Sequence, residues 1–143
     1  MTFGQRAIKK VMTKRQEFNV IKPVGMKPRP DKYEEIVAEL LANHFESDVK
    51  FIKRKNTTTP DVLVVRYDQR WEIKNIRGNS KFTIQNNLRA ADDQSENVVI
   101  SLLRTKMTAP RAEGRIKKWL NDGPTKIKRI LLVTKARKII VTK

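Results

Sequence analysis

The stretch TTTPDVLVVRYDQRWEIKNIRGNS, residues 57–80, decides how this chain folds. An Asp follows a Pro, and two runs rich in β-branched and aromatic residues come next, DVLVVRY and RWEIKNI. Such runs predict two strands joined as a hairpin. With Asp68-Gln69 as the turn, Tyr67 faces Arg70, Val65 faces Glu72 and Leu63 faces Lys74. Directly paired residues of an antiparallel ladder project to the same side, and alternate residues of a strand share a face. Asp61, Glu72 and Lys74 are therefore expected on one face. A slip of one residue sends Asp61 to the other face. The turn lacks the favoured Asn-Gly or Asp-Gly pair, so the register rests on this inference alone.

That face also carries Leu63 and Val65, so it is partly covered. Charges do not belong on a covered face unless they are paired or bind a cation. Two carboxylates side by side repel, and one pKa rises unless Lys74 or a divalent metal offsets them. Carboxylate oxygens suit Mg²⁺ or Mn²⁺. A metal there would bind a scissile phosphate and activate a water, while a lysine positions that water or stabilises the charge on phosphorus. The plain alternative is an edge hairpin with solvent-facing charges and a surface Glu–Lys pair.

Outward from the hairpin, the pattern predicts one α/β domain with helices against a mixed sheet. Asp31 and Glu34 have capping-box spacing. The stripe Tyr33, Ile36, Val37, Leu40, Leu41 predicts a helix ending near His44 or Phe45. DVKFIKR reads as a strand and NTTTP as a turn. Ser80 is the expected cap of a helix running to about Gln94. NVVISLL is continuously apolar, the pattern of a strand covered on both faces. Thr108 and Pro110 start a helix that Asn121 and Gly123 end. KIKRILLVT and KIIVTK close the chain around the turn KARK. Residues 1–30 read as a separate basic arm: 8 of them are basic and one is acidic. FGQRAIKKVMTKRQEF suits a basic amphipathic helix with Ile8, Val11 and Met12 on one side. The prolines and glycine of NVIKPVGMKPRP argue against regular structure there.

Charge sets the partner class. Lys and Arg number 32 against 15 Asp and Glu among 143 residues, a net +17. Such a field favours polyanions, nucleic acid first. Cysteine is absent, which removes disulfides, thiolate catalysis and thiolate zinc sites. No apolar run approaches the roughly 20 residues of a membrane span. The basic N-terminus has no following apolar run, so it does not read as a signal peptide.

Pro60-Asp61 followed by Glu72-Ile73-Lys74 resembles the motif of the PD-(D/E)xK nuclease superfamily. WEIKNIRGNSKFTIQNNLRAADDQSENVVISLLRTKM, residues 71–107, is similar to the nuclease toxin domain at the C-termini of contact-dependent growth inhibition proteins. The resemblance extends over residues 31–143. It implies a PD-(D/E)xK-like core, tRNA as substrate and a cognate immunity protein that blocks the site. It also implies action in the bacterial cytoplasm after delivery as the C-terminal module of a larger secreted protein. On that basis Asp61 and Glu72 match the metal-binding or catalytic carboxylates and Lys74 the catalytic lysine, with Mg²⁺ or another divalent cation as cofactor. The superfamily often adds a Glu from the preceding helix. Glu35 and Glu39 are the candidates, and Glu39 is preferred as nearer the sheet end. Gln85 and Arg89, at i and i+4 on the next helix, are expected near substrate phosphate or Glu72. Arg104, just past the NVVISLL strand, is expected to reach the active face. The immunity protein should be acidic, to cover a basic cleft.

Lys53, Arg54 and Lys55 precede the motif strand, and Lys117, Lys118, Lys126, Lys128 and Arg129 crowd the last third; these are candidate phosphate contacts. His44 is the only histidine. Its place at a helix end suits a cap or dipole partner, and a two-histidine ribonuclease scheme is excluded. Attack by the RNA 2′-hydroxyl without a metal stays open. Trp71, alternating with Glu72, and Trp119, on an apolar helix side, are expected in the core. The rival readings are a DNA endonuclease of the same superfamily, a nucleic-acid-binding module with a vestigial site and a basic structural protein.

Overall fold

A computed structural model describes residues 18–55 and 59–143. Helix α1 spans Lys32–Phe45. Asp31 starts it through a reciprocal capping box: the Glu34 N–H donates to Asp31 Oδ1 at 2.9 Å, and the Asp31 N–H reaches Glu34 Oε1 at 3.4 Å. Glu46 ends it in the left-handed region at φ 50°. Val37, Ala38, Leu41 and Ala42 form its buried stripe.

Strands β2 (Val49–Phe51), β3 (Val62–Val64) and β4 (Gln69–Asn75) follow as an antiparallel meander. The β3–β4 register differs from the expected one. Leu63 pairs with Arg70, not Lys74, and Val64 pairs with Gln69. The cause is the connection. Val65–Tyr67 curl into a 3-10 turn, closed by the Asp68 N–H on the Val65 carbonyl at 3.2 Å. Asp68 then takes φ 51°, a left-handed conformation that Asp tolerates better than most residues. Four residues make the loop instead of two. The offset is an even number, so the paired strand residues stay on their expected faces, whereas Tyr67, in the turn, lies against Phe45 on the α1 side. The shift also moves Asp61 directly across from Glu72.

Helix α2 (Thr83–Asp92), β5 (Asn97–Ser101), α3 (Ala109–Asn121), β6 (Arg129–Val133) and β7 (Ile139–Val141) complete the chain. Ser80 is not the residue flanking α2. Its carbonyl accepts from the Thr83 N–H at 3.3 Å and its Oγ from the Phe82 N–H at 3.2 Å, which shapes the turn leading into the helix. β4, β5 and β6 are mutually parallel, and β7 returns antiparallel. All five β5 residues are buried, as a strand covered on both faces requires.

One mixed sheet results, with the strands in sequence order. On one face α1 packs over Phe51, Val62, Val64, Trp71 and Ile73. On the other, α2 and α3 pack over Ile76, Val98, Ile100, Ile130 and Leu132. Trp71 is in the first core, and Trp119 packs at the margin of the second. The architecture is the α/β one expected, a mixed sheet flanked by helices.

The packed chain begins before Asp31. Val20–Ile21 form β1, parallel to the edge of β2. The Asn19 N–H donates to Asp48 Oδ1 at 2.8 Å, and Lys22 pairs with Glu35 at 2.7 Å. Phe18, Val20 and Met26 pack on the α1-side core. The prolines at 23, 28 and 30 follow the strand, so they do not prevent it. The amphipathic helix expected over Ile8, Val11 and Met12, and most of the NTTTP turn, lie outside the described residues. Among the described residues no helix is long and apolar enough to cross a membrane.

Candidate active site

β3 stops pairing with β4 at Val62 and Trp71, and Asp61 takes over the next rung. Its N–H donates to the Trp71 carbonyl at 3.1 Å, while its Oδ2 accepts the Ile73 N–H at 2.7 Å. A carboxylate thus stands where a strand carbonyl would. Its Oδ1 accepts from Arg54 at 3.4 Å. Beyond this point β3 and β4 part, and a cleft of roughly 260 Å³ opens.

Glu72 and Lys74 enter the cleft from β4. Glu72 is 2% exposed. Its Oε2 pairs with Lys74 Nζ at 3.2 Å, and its Oε1 is buried without a hydrogen-bond partner. Burial, and then the adjoining Asp61 carboxylate, push the Glu72 carboxyl up to about 8, with Lys74 pulling the other way. One face of one hairpin therefore holds a carboxylate fixed by backbone, a second carboxyl inclined to keep its proton, and an ammonium.

The remaining walls come from three places. Asp31 and Glu34 project from the start of α1, Arg54 from the segment after β2, and Asn75, Arg77 and Arg104 from the ends of β4 and β5. The Arg104 guanidinium lies 4.8 Å from the Tyr33 ring centroid, which holds it over the cleft. Burial raises the Glu34 carboxyl; the Asp31 N–H pulls it back, and the Asp61 and Asp31 charges add to the rise. Both side-chain polar atoms of Asn75 are buried without partners.

Asp61, Glu72 and Lys74 thus meet as expected, and Arg54 and Arg104 join them. Other expected residues do not. Glu39 is exposed and absent from the cleft walls. The α1 glutamate at the cleft is Glu34, because it begins the inward stripe continued by Val37, Ala38, Leu41 and Ala42. The buried face is rotated from the expected stripe: Tyr33, Ile36 and Leu40 are only half-buried, and Ala38 and Ala42 take their places, which brings Glu34, expected only in the capping box, to the cleft. Glu35 is occupied by Lys22. Gln85 and Arg89 do not line the cleft: they flank the buried stripe Ile84, Leu88, Ala91, and Arg89 points to solvent. Lys53 and Lys55 are exposed beside Arg54 and also stay outside the walls. His44 sits at the far end of α1. Asn75 and Arg77 carried no spacing signal that would have singled them out.

The family model described as "Contact-dependent growth inhibition CdiA C-terminal domain" matches residues 58–139. That is more than half of the chain, and it contains the whole β3–β4 hairpin. This chain belongs to that family, and it is a toxin domain. Among solved structures, the CdiA-CT/CdiI toxin and immunity complex from Burkholderia pseudomallei is similar at 16% identity and a TM-score of 0.49. The similarity covers 87% of this chain and 97% of that one. No curated protein matches the chain.

Proposed function

We propose that this toxin domain is an endonuclease that cleaves tRNA phosphodiester bonds with Asp61, Glu72 and Lys74. The observation that carries the reading is the buried Glu72–Lys74 pair, at 3.2 Å, meeting Asp61 in one polar cleft with Glu72 Oε1 unpartnered. A buried charge cluster is unfavourable as scaffolding alone. Here it borders an opening rimmed by Arg54, Arg77 and Arg104, groups suited to phosphate oxygens. The net charge of +17 suits a polyanionic substrate. The choice of tRNA follows from the sequence resemblance.

The donor chemistry fits a divalent cation. Among the described residues no group of three or more acidic or histidine side chains is arranged around one point. Asp61 and Glu72 would instead hold the ion as a carboxylate pair, with its remaining positions for water and phosphate, a mode Mg²⁺ accepts. When bound, the ion would polarise the phosphoryl oxygen and acidify a water. Lys74, 3.2 Å from Glu72, would stabilise charge developing on the phosphoryl group. Asp61 is pinned by the Ile73 N–H and needs no reorganisation.

Delivery as the C-terminal module of a larger secreted protein, action in the target cytoplasm and neutralisation by an acidic immunity protein belong to the same proposal. The test is incubation with tRNA and with plasmid DNA, in Mg²⁺ or in EDTA, beside the Glu72→Gln variant. Mg²⁺-dependent cutting of tRNA by the parent and not by the variant is expected. Equal cutting by the variant overturns the site assignment, and cutting of DNA alone overturns the substrate.

A further inference from the structure

At the other end of β4 a second pocket opens, of roughly 300 Å³. Its walls include His44 and Phe45 from the end of α1, Tyr67 from the 3-10 turn, Trp71, Arg129 and Lys143. Phe45 contacts each of the other three rings. Phe45 lies 4.8 Å from His44 edge-on, 6.0 Å from Tyr67 and 5.5 Å from Trp71. Trp71 is 1% exposed and forms the floor, whereas Tyr67 is 50% exposed. The Arg66 guanidinium is 5.4 Å from the Tyr67 centroid.

The cations opposite these rings are held in place. Arg129 Nη1 donates to Asn97 Oδ1 at 3.0 Å, and Lys143 Nζ to the Ile127 carbonyl at 2.7 Å. Both keep further donors free, since a guanidinium has five and an ammonium three. Among the described residues no acidic side chain lines the pocket. Flat aromatic faces with two fixed cationic side chains and no acidic side chain select an occupant that is flat at one end and anionic at the other.

We infer that this pocket holds an unpaired nucleotide of an RNA substrate, its base against Tyr67 and Phe45 and its phosphate toward Arg129 and Lys143. The inference rests on the reading of the cleft as an RNA-cleaving site and adds a second contact to it. α1 and β4 both bridge the two places. From Gln69 to Lys74 the strand covers about 17 Å at roughly 3.4 Å per residue. From Asp31 to His44 the helix covers about 20 Å at 1.5 Å per residue. These lengths correspond to about five to six stacked nucleotides at roughly 3.4 Å each. RNA long enough to span that distance engages both sites, and shorter RNA does not.

The test measures binding without cleavage. Fluorescence anisotropy follows a labelled single-stranded RNA that spans both sites, in EDTA, with Glu72→Gln protein carrying either Tyr67, Tyr67→Phe or Tyr67→Ala. Tyr67→Ala should bind about tenfold more weakly, the scale of one base–aromatic stack, and Tyr67→Phe should match the parent. Equal affinity for all three overturns the pocket and leaves the cleft untouched. Conversely, Tyr67-dependent binding by a protein that cleaves no RNA supports the pocket and overturns the cleft reading. A second measurement guards against misfolding of Tyr67→Ala. In the otherwise unaltered protein, RNA carrying 4-thiouridine should cross-link to Tyr67 or Phe45, and cross-links found only elsewhere overturn the inference.

Discussion

β4 and β5 lie side by side, parallel and in register, and fill equivalent positions with opposite chemistry. Glu72 pairs with Val98, and Lys74 with Ile100. Val98, Val99 and Ile100 are fully buried between helices on both faces, while β4 places a carboxyl only 2% exposed beside them. The difference lies in the second neighbour. β5 is flanked for its whole length by β4 and β6. β4 loses β3 beyond Trp71, where the Asp61 side chain replaces the ladder. A central strand can carry charges where one neighbour departs and leaves an opening for them. The contrast teaches that burial by area and access by geometry are separate properties of a strand.

The largest expected effects test the charged strand. Glu72→Gln and Lys74→Met should each lower tRNA cleavage by about a hundredfold or more, the scale of losing a group that acts in the transition state. Circular dichroism should show the fold retained, because Gln matches the shape of the protonated carboxyl. Next, Ile100→Ala should lower unfolding free energy in urea by about 2–5 kcal/mol, while cleavage per folded molecule stays at the parent level. Should Ile100→Ala abolish cleavage in a folded protein, the division between the two strands fails.

A pH series sharpens the same contrast. Glu72 keeps its proton up to about 8 in the folded domain, whereas an exposed Glu loses it near its ordinary 4.5. Between those values the folded state binds the extra proton, so Glu72 makes the domain less stable as pH rises, and the full penalty is present above about 8. Glu72→Gln removes that dependence. In EDTA, its Tm relative to the parent should rise from pH 5 to pH 9; a constant difference would mean that Glu72 is not held neutral. The smallest effect belongs to the start of α1. Asp31→Ala should cost about 1 kcal/mol through the lost cap, measurable by thermal melting, and it frees Glu34 to move within the cleft.

Much of this was legible because strand parity is a local property. Asp61, Glu72 and Lys74 could be placed on one face, Trp71 on the other, and NVVIS inside, from alternation and composition alone. The turn length was not legible. Val65, Arg66 and Tyr67 have strand composition, and only their hydrogen bond back from Asp68 makes them a 3-10 turn. β1 was hidden for a different reason. Val20 and Ile21 become a strand by pairing with the edge of β2, a tertiary contact with no local signature. Glu34 was misassigned because one residue does two things: it closes the capping box and heads the inward stripe. The spacing of Gln85 and Arg89 puts them on one side of α2, yet the buried residues Ile84 and Leu88 beside them set which way that helix faces.

The four-residue turn between β3 and β4 has one more consequence. It behaves as a parity bit. Lengthening or shortening it by an even number of residues slides Asp61 along the cleft, whereas any odd change inverts β3 and turns Asp61 away from Glu72 and Lys74. Variation in this loop can therefore be sorted by arithmetic: even lengths keep Asp61 on the side of Glu72 and Lys74, and odd lengths turn it away from them.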